Sequence, residues 1–414
     1  VDCGMDSQNH RRARFALPAL IAAAATGALA QEPNPWYVGA SQDVTYDSNF
    51  FRVAEGAPES KEVISTTSLL AGLNQPIGRQ RLFADLALRH SFYDKRNQFD
   101  HTGGNLLAGI DWEAADLLSG RVAYTTDRTL ARYGDEFGFF EADGRVMQTR
   151  RELNARGQVG GASLLAVELG YIRRELDFSK PGAPDQFDQN TGSIGLKYRP
   201  SGALTLGVAF RRTDGTYPNA PAPVGGGTLA DDFDRDDIDL SAVWSATGAS
   251  TVTARVSRTK EEHKSLTVRD FKGTTGAVAW AYKLTGKSGL FLDWIRDTSS
   301  ENSFNAGAGG AVVPTVVTSR SPLSTTWQLR GEYEASAKVK AIAQVRYLKR
   351  DLVDTTGAKG DDNLVETRVG LNWTPLRSVT VGCSVGHEKR DASSALSTSY
   401  SATTAQCLAE FRTQ

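Results

Sequence analysis

Histidine, methionine and cysteine are all scarce in this chain of 414 residues, with 5, 2 and 3 copies. That leaves little material for a metal centre or a nucleophile–base pair. His90, His101, His263 and His387 stand far apart, and none has a serine or carboxylate at triad-like spacing. Charge of one sign is also lacking. The 47 basic and 48 acidic residues give a formal net charge of -1, which removes the electrostatic case for nucleic acid. Hydrophobic residues make up 40%, low for a single large soluble core. After residue 30 no apolar run reaches the roughly 20 residues that a spanning helix needs. The glycines at 225–227 lack the Lys-Ser/Thr of a phosphate loop. The expectation is a protein that is not an enzyme and that uses no cofactor and no metal.

What is present begins with an export signal. His10-Arg11-Arg12-Ala13-Arg14 is a basic segment followed by the apolar run FALPALIAAAATG and the small-x-small site Ala28-Leu29-Ala30. Met5 reads as the start, with residues before it an upstream extension. The organisation expected is 1–30 as extension plus cleaved signal, cut after Ala30, and 31–414 as one domain. Cys3 falls in the discarded segment. Cys383 and Cys407 remain, in a compartment that permits disulfides.

From Trp36 onward one pattern dominates: segments of about 12–16 residues with alternating apolar and polar positions. Ala203–Arg211 puts Leu204, Leu206, Val208 and Phe210 opposite Thr205, Gly207, Ala209 and Arg211. Glu366–Trp373 puts Thr367, Val369, Leu371 and Trp373 opposite Glu366, Arg368, Gly370 and Asn372. A period of two means strands with unlike faces, and about 18 such strands can be traced. Their connections alternate. Short ones fall at 78–80, 200–202, 247–249, 285–287 and 376–377, and long polar ones at 52–61, 132–144, 218–232, 302–322 and 392–398, with 265–266 a short exception. Short turns at one end and long loops at the other are the asymmetry of a bacterial outer-membrane barrel. The fold expected is therefore all-β: one closed antiparallel transmembrane barrel with short periplasmic turns and long extracellular loops. Its expected surroundings are outer-membrane lipid and lipopolysaccharide. Trp36, Trp112, Tyr198, Trp244, Tyr282, Trp294, Tyr333, Tyr347 and Trp373, near strand ends, fit interfacial girdles.

If the apolar positions face lipid, the alternate ones face a lumen. Arg89, Arg156, Lys197, Arg211, Arg255, Arg330, Lys340, Arg346 and Arg368 are the candidates for a cationic constriction, with Asp85, Glu152, Glu168, Glu332 and Glu366 as inward acids. Two readings stay open. The cations attract anionic solutes, or they pair with those carboxylates across strands and hold the wall. The acidic run at 231–240 lacks the glycine turn and ligand spacing of a calcium loop and reads better as an exposed loop entering a strand. Loops 217–229 and 302–322 are the candidates for a lid or inward plug. Cys383 and Cys407 share the apolar face of the last two strands, which makes them disulfide candidates.

One short motif is sharper than the pattern. Tyr46-Asp47-Ser48-Asn49-Phe50-Phe51-Arg52, at the end of the first strand, resembles the stretch found at that place in the EpsL-like outer-membrane proteins of exosortase-linked exopolysaccharide operons. The resemblance runs from about Trp36 to the C-terminus. It implies a channel taking part in exopolysaccharide export or biosynthesis, with the secreted polysaccharide and a periplasmic polysaccharide export protein as partners, and it brings no catalytic residues. The alternatives are a general or substrate-specific diffusion porin for small solutes, and a non-conducting structural or adhesive barrel. Strand parity points Asp47 and Asn49 towards the lumen, which makes them pore-mouth candidates.

Overall fold

A sheet with one apolar and one polar face is stable in lipid only if its edges meet, because hydrocarbon offers no partner to a bare backbone N–H or C=O. In the computed structural model, which describes residues 34–58, 60–131, 144–161, 163–222, 227–298 and 323–413, the edges do meet. The strands are β1 (Trp36–Asp47), β2 (Glu62–Ile77), β3 (Gln80–Tyr93), β4 (His101–Ala114), β5 (Leu118–Leu130) and β6 (Met147–Val159). They continue with β7 (Leu165–Phe178), β8 (Phe187–Ser201), β9 (Leu204–Pro221), β10 (Thr228–Thr247), β11 (Ser250–His263) and β12 (Phe271–Lys283). The ring is completed by β13 (Ser288–Asp297), β14 (Leu323–Ser336), β15 (Val339–Val353), β16 (Lys359–Leu376), β17 (Val379–Ala392) and β18 (Tyr400–Arg412). Each pairs antiparallel with its sequence neighbours, and β18 pairs with β1, closing an 18-stranded barrel.

The outer face follows the alternation. On β9, Leu206, Val208 and Phe210 are exposed opposite Ala242, Leu240 and Ile238 of β10. Exposed Trp36, Tyr198, Trp244, Tyr333 and Trp373 mark the short-turn edge of this apolar band, and Tyr46, Phe92, Tyr171, Trp327 and Tyr347 mark the long-loop edge. Two aromatic girdles with an aliphatic belt between them is the exterior of an outer-membrane barrel.

The interior is not uniform along its length. Towards the short turns the inward residues Arg81, Asp85, Arg156 and Arg368 are exposed to solvent. Towards the long loops the inward side is packed. Tyr93, Phe99, Ala131 and Val146 form one buried cluster, Leu176, Phe187, Tyr217, Phe233 and Leu266 a second, and Leu348, Leu364 and Tyr400 a third. The apolar core of this protein thus sits inside the ring, above the membrane band.

Two connections depart from the expected ones. The loop expected at 218–232 is mostly strand: β9 runs to Pro221 and β10 starts at Thr228. A register shift lets two β9 residues, Pro218 and Asn219, oppose Ala230 alone, a bulge that accommodates proline in a ladder. The acidic run 231–240 accordingly lies entirely within a strand. The link expected at 265–266 spans 264–270 and holds a 3-10 turn at Thr267–Arg269. The β3–β4 link is built the same way around Asn97–Phe99, and in both an aspartate carboxylate, Asp100 or Asp270, accepts the N–H of the last strand residue, Tyr93 or His263, at 2.8 Å. The loops at 132–143 and 302–322 and the signal segment at 1–30 lie outside the described residues.

Cys383 and Cys407 are direct cross-strand partners on the lipid face, with Cα atoms 4.1 Å apart, and they form a disulfide 24 residues apart in sequence. Non-reducing mass spectrometry of the folded protein should find no free thiol at either position. The double variant Cys383→Ser/Cys407→Ser should unfold in urea with about 3–4 kcal/mol less stability, the chain-entropy value for a loop of this length. Equal stability would mean that barrel closure alone restrains this hairpin.

Candidate functional site

The register fixes which side chains share the lumen. Residues opposite one another in an antiparallel ladder lie on the same face, so the pairs Arg346–Glu366, Arg211–Asp237 and Glu152–Arg174 all face inward. Traced around the ring, all fourteen lumen residues expected from the sequence fall on the inner face.

Most of the nine cations are matched there. Lys197 reaches Glu168 across β7–β8. Arg330 meets Glu332 at 2.8 Å, and Lys340 meets the same carboxylate at 2.5 Å. Arg346 meets Glu366 at 2.7 Å. Arg211 lies 3.1 Å from Asp237 and 3.3 Å from Asp239, while Arg255 lies 3.1 Å from Asp297. Of the acids, Glu152 is held by Arg174 at 3.0 Å, and Asp85 accepts from the Tyr37 hydroxyl at 2.9 Å. The two functional readings of these cations thus separate by residue, and for these six the wall-holding reading describes the geometry.

The strongest part of the wall escaped the sequence reading. Arg235, fully buried, forms a fork on Asp237 at 2.8 and 3.0 Å, reaches Asp297 at 2.8 Å and donates to the Thr298 hydroxyl at 2.6 Å. On the other side of the barrel, buried Arg350 grips Asp362, with its Nε 2.7 Å from the carboxylate, and Arg390 stacks over the Tyr400 ring at 4.9 Å. A buried guanidinium needs this density of partners, since an uncompensated charge costs several kcal/mol. The signal was in the sequence: parity applied to 231–240 puts Asp231, Arg235, Asp237 and Asp239 on one face once the run is read as strand.

Arg89, Arg156 and Arg368 differ. Each points into the lumen from within the membrane band, and none has a carboxylate within 4 Å among the described residues. Arg156 also lines a recess of about 360 Å³ near the short-turn end, together with Asp111, Arg121 and Glu168. Asp111 is already shared by Arg81 at 2.9 Å and by Arg121, which leaves the Arg156 guanidinium without a claim on that carboxylate.

The pore-mouth assignment of Asp47 and Asn49 is corrected. Both point inward as parity requires, but they are buried, at 7% and 2% exposure, and their bonding capacity is used internally. Asp47 accepts the Asn49 N–H at 2.9 Å and the Arg52 guanidinium at 2.9 Å. The Asn49 amide donates to the carbonyls of Val53 and Ser401, both at 3.1 Å, and its oxygen accepts the Val53 N–H at 3.0 Å. Arg52 turns back through a left-handed backbone, φ 55°, to reach Glu388 on β17. Phe50 and Phe51 pack on Tyr93 and Phe99. The motif is a clasp that ties the first long loop to β3, β17 and β18.

Among the described residues, His263 is the histidine whose two ring nitrogens both meet carboxylates. Its Nδ1 lies 2.8 Å from Asp231 and its Nε2 3.3 Å from Glu261. With both ring nitrogens engaged, it has none left to activate a hydroxyl nucleophile. Among the described residues no group of three histidine, cysteine or acidic side chains converges as a metal site.

No family model and no curated protein matches the chain. Solved structures similar to it include the outer-membrane protein OpdK of Pseudomonas aeruginosa, at 12% identity and TM-score 0.48, covering 91% of this chain and 98% of that one. A BenF-like porin from Pseudomonas fluorescens Pf-5 matches at 11% identity and TM-score 0.48, with 91% and 99% covered. OccK2 (OpdF) of Pseudomonas aeruginosa matches at 14% and 0.47, with 91% and 97% covered. The likeness is one of fold. The expectation of polysaccharide export is corrected: the barrels that the chain is similar to are named as an outer-membrane protein and a porin.

For the clasp, Arg52→Ala leaves Asp47 and Glu388 buried without their cation. Urea unfolding of the reconstituted barrel should show a loss of about 3–5 kcal/mol. Asn49→Ala should cost about 1–3 kcal/mol through unpaired backbone groups. Wild-type midpoints for both would remove the clasp as a stabilising element.

Proposed function

We propose that the protein is a passive diffusion channel of the bacterial outer membrane for small water-soluble solutes, with a preference for anions. The observation that carries this reading is the contrast between matched and unmatched lumen cations. Wall pairs such as Lys197–Glu168 and Arg346–Glu366 present almost no net charge to a passing solute. Arg89, Arg156 and Arg368 keep theirs, and they face water within the membrane band. A cation on a low-dielectric wall raises the local concentration of anions and disfavours cations. The recess beside Arg156, about 360 Å³, supports a small solute rather than a polymer. Guanidinium groups favour planar carboxylates, which they bind in bidentate fashion, so small organic acids are the solute class this wall suits best.

The test is planar-bilayer recording across a salt gradient. The wild type should conduct and prefer chloride over potassium. The triple variant Arg89→Gln/Arg156→Gln/Arg368→Gln should move the reversal potential towards cations by a several-fold change in permeability ratio, the effect of about 1 kcal/mol of lost attraction per site in water. Arg330→Gln should shift it less, because Glu332 retains Lys340 as partner. No conductance from folded protein would overturn the channel reading. An unchanged reversal potential in the triple variant would overturn the anion preference.

A further inference from the structure

The outer surface carries a second charge asymmetry, just beyond the long-loop edge of the apolar band. On β6–β10 the outward cations at this level are neutralised by the protein itself. Arg151 meets Asp177 at 2.5 Å, Arg173 meets Glu175 at 2.7 Å, and Arg212 lies 3.2 Å from Asp234 and 3.4 Å from Asp236. On β11–β15 four are not. Arg258, Lys272, Arg296 and Lys349 are exposed, point outward, and have no carboxylate within 4 Å among the described residues.

Their placement is ordered. Arg258, Arg296 and Lys349 each follow the last girdle or aliphatic residue of their strand, Val256, Trp294 and Tyr347, by two positions, a rise of about 6.6 Å. Arg296 and Lys349 both register with Thr325 of β14, one from each side, so their backbones lie about 10 Å apart on one row. Lys272 stands directly opposite Lys260 across β11–β12. Like charges facing one another in a ladder destabilise it unless an anion lies between or above them. Lys260 has Glu262 at 2.7 Å, and Lys272 has no such partner. Glu262 and Asp351 are the outward acids nearest this patch on β11 and β15, and both lie farther from the band than the cations.

We propose that this face binds a phosphorylated glycolipid of the outer leaflet. Its acyl chains would lie along Val256, Trp294 and Trp327, and its sugar-borne phosphates would be held by Arg258, Lys272, Arg296 and Lys349. The chemistry is specific in two ways. The cations stand at headgroup height directly over an apolar wall, where a free anion would gain no apolar contact, and the spacing of Arg296 and Lys349 along one row, with Arg258 and Lys272 on rows beside it, suits a headgroup with more than one phosphate. The proposal rests on the barrel's place in the outer membrane and is independent of conduction.

Native mass spectrometry of the full barrel in neutral detergent tests it, with bisphosphorylated lipid A titrated against the same lipid freed of phosphate and against phosphatidylglycerol. The wild type should retain the bisphosphorylated lipid and bind the other two at least about ten-fold more weakly, as several basic residues near an anionic headgroup predict. The variant Arg258→Gln/Lys272→Gln/Arg296→Gln/Lys349→Gln should lose that preference. The variant Arg151→Gln/Arg173→Gln/Arg212→Gln, on the self-neutralised side, should keep it. Heat-modifiable gel migration establishes that each variant is folded. If the quadruple variant fails to fold, Arg296→Gln and Lys349→Gln singly should each weaken binding several-fold. Wild-type retention in the quadruple or single variants, or equal binding of the phosphate-free lipid or phosphatidylglycerol, would overturn the proposal.

Discussion

A peptide N–H that faces hydrocarbon has nowhere to bond except the next strand, and the two outermost strands of an open sheet would each leave a full row of such groups bare. Pairing β1 with β18 removes both rows at once, and the rest of this structure depends on that closure. Once the ring is shut, inside and outside are decided for every residue by parity alone. The outside can be apolar without a partner protein. The inside can then hold charge at a density that no dry soluble core would tolerate.

The interior deals with that charge in two ways along its length. Towards the long loops, Arg235, Arg350 and Arg390 are buried and surrounded by carboxylates, hydroxyls and a tyrosine ring. Desolvation makes such arginines expensive unless every donor is used, so the networks span several strands and make the wall rigid. Towards the short turns the side chains are wet, and Arg156 and Arg368 remain uncompensated. Rigidity at one end and accessible charge at the other follow from the same residue types in two dielectric settings.

Much of this was legible in the sequence because a period of two is a one-bit code. Alternation in Ala203–Arg211 or Glu366–Trp373 states the face of each residue outright, and the placement of Arg89 through Arg368 needed nothing more. Partners are a different matter. Whether Arg346 meets Glu366 or slides past it depends on register, which no single strand contains. Asp47 and Asn49 show the same limit from another side. Their direction was readable, but their burial depends on Glu388 and Ser401, more than 300 residues away. The extension of β9 and β10 was hidden by Pro218 and Pro221, which argue for a loop unless a bulge is in place to receive them. The barrel came from the alternation, and the resemblance carried by the clasp motif misled about cargo, because its residues hold a loop.

The seam between β18 and β1 is bonded like any other. Beyond the ladder itself, the Thr413 N–H donates to the Val38 carbonyl at 2.8 Å, and the Val38 N–H donates to the Thr413 hydroxyl at 3.0 Å. The bonds of this seam are of the same kind as those at the tight turns of this rim, such as Thr285–Ser288 between β12 and β13. The order in which the polypeptide visits the strands is therefore separable from the order in which they stand around the circle. A chain cut at one of those turns, with β18 joined to β1 by a short linker, would describe the same cylinder, since termini at exposed turns carry no ladder bonds of their own.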